Sequence, residues 1–371
     1  MNESKVDPSE PPSLGLGRVA VVHNVVADDV AEEDGEPPSL AADAEVAETA
    51  ALIAQSLVRS GAEVLLRGVA DNVDEVVAEL RAAGVTRVFN LVEAVGGVAA
   101  REAEFVDALE RARLPYTGNG TTILRAAFHK HVARQILGAC NIPIPRGVEV
   151  WSEADVPLHG YPYFAKPSRA DGSIGIDQGS LVRTPEAART RVTWLLRTLG
   201  GPVLMEEYLP GAEINVALLP VDEQLVGVAT AIDFSAYGPD LVPVVTYNCK
   251  WVPETPEYNC RSVPAADIVP RWQVDEAVRV ARAAFLTLGG TGYGRVDLRC
   301  DTEGHPRVID VNPNPDLHPE AGLAIAAQSI RVDWDTLIAF ITTGASLKDT
   351  HVRSPHHSSR PRATRSPAHA G

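Results

Sequence analysis

The sequence predicts an α/β protein, α+β in its later parts, built from three units. These are an N-terminal domain with a doubly wound parallel sheet, a small central α+β domain and a C-terminal α+β domain. Three observations carry this. As far as about residue 114, short apolar runs alternate with amphipathic stretches, as parallel strands do with crossover helices. A second stretch sets helices around short strands and a Gly-bearing loop. A third holds a hairpin, a long proline-bearing loop, a helix and two further strands. The 371 residues, 45% of them hydrophobic, suffice for two or three cores.

In the first unit, "GRVAVVHNVV" (17–26) reads as a strand and "LAADAEVAETAALIAQSLVRSGA" (40–62) has apolar positions at helical spacing. "EVLLRGV", "VDEVVAELRAAG" and "VTRVFNLVEA" continue as strand, helix and strand; "AREAEFVDALERARL" (100–114) is a helix. In the second, "LRAAFHKHVARQILGACN" reads as one helix, and "YPYFAKPS" and "IGIDQGSLV" as strands. "TPEAARTRVTWLLRTLG" is a helix with Thr184 as N-cap and Pro185 in its first turn. "PVLMEEYL" closes that unit as a strand. The third holds the hairpin "EINVALLPVDEQLVGVATAIDF", an irregular stretch (236–269), the helix "QVDEAVRVARAAFLTLG", and two strands, "YGRVDLRCD" and "RVIDVN", joined by "TEGHP". "WDTLIAFITTG" is the last helix. A loop as long as 236–269 usually serves as a lid or binding loop.

The boundaries expected are 1–16 as a disordered, Pro/Ser/Glu-rich N-terminus, 17–124, 125–208 and 209–346 as the three units, and 347–371 as a disordered basic tail.

Charge narrows the function. The net charge is −16, from 49 acids against 33 bases, which disfavours nucleic acid and anionic membranes as partners. No apolar run approaches the ~20 residues of a membrane helix, and the polar start is unlike a signal peptide. The four cysteines suggest no disulfide framework, so a reduced, cytoplasmic setting is expected. Cys249 and Cys260 lack the spacing of metal ligands.

The chemistry concentrates in four places. "GRVDLRC" sets Arg295 and Asp297 two apart on one strand face, and "VIDVN" does the same with Asp310 and Asn312. Paired as a hairpin, they gather hard oxygen ligands suited to Mg²⁺ with nucleotide phosphates, beside an arginine that can steady a developing anion. A polar strand face with solvated acids would look the same. "FAKPSRADGSIGI" puts Lys166 on an apolar strand before a loop with Gly172 and Gly175, whose N–H groups can cover phosphates. The Walker A spacing is absent. "VLMEEYLPGAEINV" carries Glu206, Glu207 and Glu213, either a charged surface hairpin or a hinge strand for adenine and ribose. Lys250 lies in the long loop and reads equally as an ordinary exposed lysine.

Together these pieces resemble the ATP-grasp superfamily and, within it, the D-alanine–D-alanine ligase family, over about residues 17–345. The matching segments, in order, are "VFNLVEAVGG…REAEFVDALERARLPYTG", "HKHVARQIL", "YPYFAKPSRADGSIGI", "VLMEEYLPGAEINVAL", "YNCKWVPETPEY", "GYGRVDLRC" and "VIDVNPNP". The resemblance implies an ATP-grasp fold in which Lys130 and Lys166 hold ATP phosphates. Glu206 and Leu209 would meet the adenine and Glu213 the ribose, and Glu207 beside Glu206 would join the same cofactor site. Lys250 would reach the phosphates from the loop, Ser173 would serve catalysis from the Gly loop, and Arg295 would stabilise the tetrahedral intermediate. Asp297, Asp310 and Asn312 would bind two Mg²⁺ ions, with Mn²⁺ as a substitute. The implied reaction joins a small-molecule carboxylate to an amine through an acyl phosphate, with ADP released; the family's habit is a homodimer.

The sequence departs from the family's pattern in ways that bear on substrate. Asp310 stands where glutamate is usual. No matching glutamate follows the first strand, Gly172 replaces a serine, Trp251 replaces a tyrosine, and "NPDLHPEAG" replaces the segment that holds the second amino acid. The expectation is an intact ATP site with a different substrate pocket, Asn314, His318 and Glu320 being candidates to line it. Genuine D-alanine–D-alanine ligase and a non-catalytic nucleotide-binding protein are the alternatives.

Overall fold

The computed structural model describes residues 15–25, 38–170, 172–221 and 224–344. The expected disordered tail 347–371, and 1–14 of the expected disordered N-terminus, lie outside them.

The first unit comprises β1 (Arg18–Asn24), α1 (Pro38–Arg59), β2 (Glu63–Val69), α2 (Val73–Ala82), β3 (Arg87–Leu91) and α3 (Glu102–Ala112). The strands are parallel in the order β2-β1-β3. Every residue of β1 after Arg18 is buried, as a central strand covered on both faces requires. Ala50, Ile53 and Leu57 of α1 cover one face, and Val76, Leu80, Phe105 and Leu109 of α2 and α3 cover the other. The sheet is therefore doubly wound.

The central unit has α4 (Thr121–Phe128), α5 (Lys130–Ala139), β4 (Gly147–Val150), β5 (Tyr163–Pro167), β6 (Leu181–Val182), α6 (Pro185–Thr198) and β7 (Val203–Glu207). Its sheet is antiparallel, ordered β4-β7-β5-β6. Thr184 caps α6, its side chain accepting from the Ala187 N–H. Two expectations need correction. The single helix expected across 124–141 breaks at His129 (φ −90°, ψ 84°), and the Lys130 N–H leaves the helix to bond the Ser168 carbonyl at 3.1 Å. The strand expected over 174–182 shrinks to Leu181–Val182, because Asp177 caps a 3₁₀ turn and accepts the Gly179 N–H at 2.7 Å.

The C-terminal unit has β8 (Glu213–Val221), β9 (Gln224–Asp233), α7 (Tyr247–Trp251), β10 (Arg261–Pro264), α8 (Ala265–Ile268), α9 (Arg271–Thr287), β11 (Gly294–Cys300), β12 (Pro306–Asn312), α10 (Gly322–Ser329) and α11 (Trp334–Thr343). Its antiparallel sheet runs β10-β9-β8-β11-β12. The expected hairpins β8/β9 and β11/β12 both form. One face packs on α9 through Ile214, Val216, Leu218, Val296, Leu298 and Phe285. By alternation the other face takes the polar residues of the same strands. α10 and α11 fold back onto the first unit's sheet, sharing a core with β1 and α1.

The stretch 236–269 is more ordered than expected, holding α7, β10 and α8. A disulfide joins Cys249 to Cys260, which corrects the reading that no disulfide is present. The two cysteines meet because the chain doubles back after α7 through a 3₁₀ turn (Pro256–Asn259), a tertiary event with no spacing signal.

Candidate active site

Strand register assembles the site. On β11, Arg295, Asp297 and Arg299 alternate onto one face. Across β8 their Cα partners are Ala217, Asn215 and Glu213. Across β12, Asp297 faces Asp310 and Arg295 faces Asn312. Directly opposed residues on neighbouring strands share a face, so the sequence pairs Arg295/Asp297 and Asp310/Asn312 do converge.

Each carboxylate there holds a cation. Arg295 grips Asp297 with two bonds, Nε to Oδ1 at 2.7 Å and Nη2 to Oδ2 at 2.9 Å, the strong bidentate form. Asn312 donates to Asp297 at 3.1 Å. Lys130 places its ammonium 3.1 Å from both Asp310 oxygens. Burial opposes the charge on Asp310, yet Lys130 and Lys166 outweigh it and hold its pKa below the ordinary carboxylate value. Arg295 is held above the usual arginine range despite its burial, chiefly by Asp297.

Lys166 spans the units. Its ammonium bonds the Ile309 carbonyl of β12 and Glu206 of β7, each at 2.8 Å. Glu206 also pairs with Arg134 of α5. β7 is paired along both edges, with β4 as far as Glu206 and with β5 as far as Glu207, and the Tyr208 N–H still bonds the Pro162 carbonyl at 3.1 Å. Glu207 itself accepts from the Arg146 N–H and guanidinium at 2.9 and 2.8 Å. Leu209 is buried, and its carbonyl takes the Arg299 Nε–H at 2.6 Å. The same guanidinium bonds Glu213 at 2.9 Å. Burial nevertheless pushes the Glu213 carboxyl above its ordinary pKa, with Arg299 opposing.

Two loops cover this face. The Gly loop turns through left-handed Gly172 (φ +63°) and Ser173 (φ +61°). α7 latches onto it: Trp251 Nε1 donates to the Gly172 carbonyl at 3.1 Å, and the Tyr247 N–H to Ile176 at 2.9 Å. Lys250, between these anchors, makes no hydrogen bond or ion pair among the described residues. It opens to solvent, yet the crowding protein and the nearby Arg295 push its ammonium below the ordinary lysine pKa.

The chain after β12 meets the first unit. Asn314 donates to the Val92 carbonyl and to Glu102, both at 3.2 Å, so its amide docks the units together. The His318 N–H donates to Asp316 Oδ1 at 2.7 Å, and His318 Nδ1 accepts from the Glu320 N–H at 3.3 Å; the Glu320 side chain is exposed. Sequence reading missed Glu45 of α1. Its carboxyl pKa is raised, by burial first and then by Asp316, while His318 and Lys250 lower it. Glu45, Asp316, His318 and Lys250 thus share one electrostatic neighbourhood. Helical spacing alone marks Glu45 as one acid among several.

Among the described residues, no three His, Cys, Asp or Glu side chains form a ready metal cage. Mg²⁺ needs none, since it typically takes one or two carboxylates, waters and substrate phosphates. Asp297 and Asp310 in cross-strand register, with the Asn312 amide beside them, fit that donor set.

Lysines, paired acids and a Gly loop, brought together between an antiparallel central sheet and an antiparallel C-terminal sheet, are the architecture of ATP-grasp enzymes. Comparison with known proteins agrees. The family model "D-ala D-ala ligase C-terminus" matches residues 147–343. A D-alanine–D-alanine ligase of Gloeobacter violaceus is 33% identical over 236 residues, 61% of this chain and 71% of the relative. One of Haemophilus influenzae is 25% identical over 273 residues, 71% of this chain and 85% of the relative. The crystal structure of D-alanine–D-alanine ligase from Bacillus anthracis complexed with ATP matches in fold at a TM-score of 0.66 and 16% identity, covering 88% of this chain and 96% of that one. The chain belongs to the D-alanine–D-alanine ligase family of ATP-grasp enzymes, ADP-forming ligases that make carbon–nitrogen bonds.

Proposed function

We propose that this ligase activates a substrate carboxylate with ATP and Mg²⁺ and joins it to an amine, on substrates other than two D-alanines. The observation that carries it is the cross-strand set Arg295–Asp297–Asp310–Asn312, with Lys130 bonded to Asp310 and Lys166 to the neighbouring Ile309 carbonyl. ATP lies between the units 125–208 and 209–346. Its adenine meets the backbone beyond Glu207, at Leu209, and Glu213 receives the ribose. Mg²⁺, as one or two ions held by Asp297, Asp310 and Asn312, would neutralise phosphate oxygens. Lys130 then exchanges Asp310 for a phosphate oxygen, and Lys166 and Lys250 complete the cationic cradle.

The substrate carboxylate attacks the γ-phosphorus, ADP departs, and an acyl phosphate forms. The amine attacks its carbonyl, Arg295 faces the developing oxyanion, and inorganic phosphate leaves. Closure of α7 over the Gly loop keeps water from the acyl phosphate, with Ser173 on the closed side. Glu45 supplies the acid that the first strand lacks and receives the ammonium of the activated amino acid. Asp316 beside it makes that end of the pocket acidic, which suits a substrate with more positive charge than alanine. A reaction drawing on ATP in this way suits the cytoplasm.

The deciding experiment is a screen for ADP release over amino acids, singly and in pairs. Substrate-dependent release is expected, and it should be lost in Asp310→Ala; release by that variant at the wild-type rate would refute the metal assignment. The second reading, D-alanine–D-alanine ligase itself, is favoured by the names of the relatives. Incubation with D-alanine, ATP and Mg²⁺ decides it, since dipeptide formation would establish it.

A further inference from the structure

We infer that Asn215 is a further positioning residue of this site, its side-chain oxygen a hard ligand for the divalent cation beside Asp297 and Asp310. Asn215 has this role only if the ligase reading above holds. It lies on β8 directly across from Asp297, which lies directly across from Asp310 on β12. The three form one row on one sheet face, with strands about 4.8 Å apart.

Its Oδ1 is buried and has no hydrogen-bond partner. Such an atom in a sheet interior calls for an explanation. Its neighbours on the same face are accounted for: Glu213, two residues earlier, is paired with Arg299, and Ala217, two later, has no polar group. Arg295 and Asn312, on the same sheet face, direct the bonds they make at Asp297 instead. A neutral carbonyl oxygen beside two carboxylates, bonded to none of the described donors, suits a hard cation. It adds an oxygen without adding a third negative charge to the row.

The test measures Mn²⁺ binding by the ADP-saturated protein, with free Mn²⁺ read by its paramagnetic resonance signal. Wild type is compared with Asn215→Leu, Asn215→Asp and Asp310→Ala. Asn215→Leu should weaken Mn²⁺ binding about tenfold or more, leaving ADP affinity without metal unchanged. Asn215→Asp, which keeps the oxygen and the shape, should bind Mn²⁺ at least as tightly as wild type. If Asp310→Ala weakens Mn²⁺ and Asn215→Leu does not, the role of Asn215 is refuted and the metal site stands. If Asp310→Ala has no effect, the metal site itself falls. Should the leucine variant fail to fold, the aspartate variant decides alone: weakened Mn²⁺ binding would mean that the amide acts through its NH₂ group.

Discussion

Glu45 gathers several of the forces in this protein at one side chain. Burial and Asp316 raise its pKa, so the folded protein keeps a proton that the unfolded chain would release. The sign follows directly. The stability this group contributes is fully present below the unfolded glutamate pKa and is lost as pH rises through the raised folded value. Ligand binding runs the other way, because an ammonium needs the ionised carboxylate. The KM for the activated amino acid should therefore climb as pH falls, starting above the ordinary glutamate range. In Glu45→Gln the acid limb should flatten and KM at neutral pH should rise about tenfold or more, as expected when one partner of a half-buried charge pair is removed. A KM–pH profile checks both, and an unchanged acid limb in the variant would remove Glu45 from the site. At this scale the sequence was informative where spacing survives folding. Arg295 and Asp297, or Asp310 and Asn312, lie two apart on a strand, and that period alone puts each pair on one face. Glu45 was hidden because a packed helix, folded against the far end of the chain, delivers it.

At the scale of elements, α7 and the Gly loop are two short pieces that hold each other. α7 has only five residues, too few to persist alone. It is fixed by its Thr246 cap, whose hydroxyl accepts the Cys249 N–H at 3.2 Å and donates to the buried Glu257 at 2.9 Å, and by the disulfide to Cys260. Trp251 ties it to the Gly loop. Trp251→Phe keeps an aromatic ring and deletes the Nε1 donor that reaches the Gly172 carbonyl. A single hydrogen bond is worth roughly 0.5–1.5 kcal/mol, so closure should weaken severalfold. The expected outcome is ADP release without the amine, from water reaching the acyl phosphate, rising relative to coupled product formation. An unchanged ratio of ADP to product would exclude the latch. These pieces escaped sequence reading for a physical reason. α7, β10 and α8 have five, four and four residues, too few for a periodic pattern to repeat, and prolines interrupt the stretch, so long-range packing specifies them. The break at His129 is of the same kind, since the carbonyl that draws the Lys130 N–H away belongs to Ser168, on another element.

At the scale of the whole molecule, the three sheets must stay in register for lysines from one unit to meet acids from another. Asn119, in the segment entering the central unit, is the joint. Its buried amide NH₂ donates to the carbonyls of Tyr293 and Pro313, both at 2.7 Å. Its oxygen accepts the Thr291 and Gly292 N–H groups, both at 2.9 Å. All four capacities of the side chain are used. They pin the entrance to β11 and the exit of β12, the two ends that frame Asp297 and Asp310. The stiff "NPNP" exit is anchored through Pro313 at one step and through Asn314, on the first unit, at the next. Gly292 is required there as well, since a Cβ on it would lie 2.4 Å from the Gly118 carbonyl oxygen. Asn119→Ala would strand two carbonyls and two N–H groups in a dry interface, and should cost about 3 kcal/mol or more. Asn119→Asp, which keeps both acceptor bonds but turns a carboxylate oxygen toward the Tyr293 and Pro313 carbonyls, should cost at least as much as alanine. Denaturant melts monitored at the tryptophans measure this. If Asn119 is the joint between units and not simply a local turn, both variants should also weaken Mn²⁺ binding in the presence of ADP, although Asn119 itself contacts neither Asp297 nor Asp310. Loss of stability with an unchanged Mn²⁺ affinity would reduce Asn119 to a structural residue of the first unit's edge.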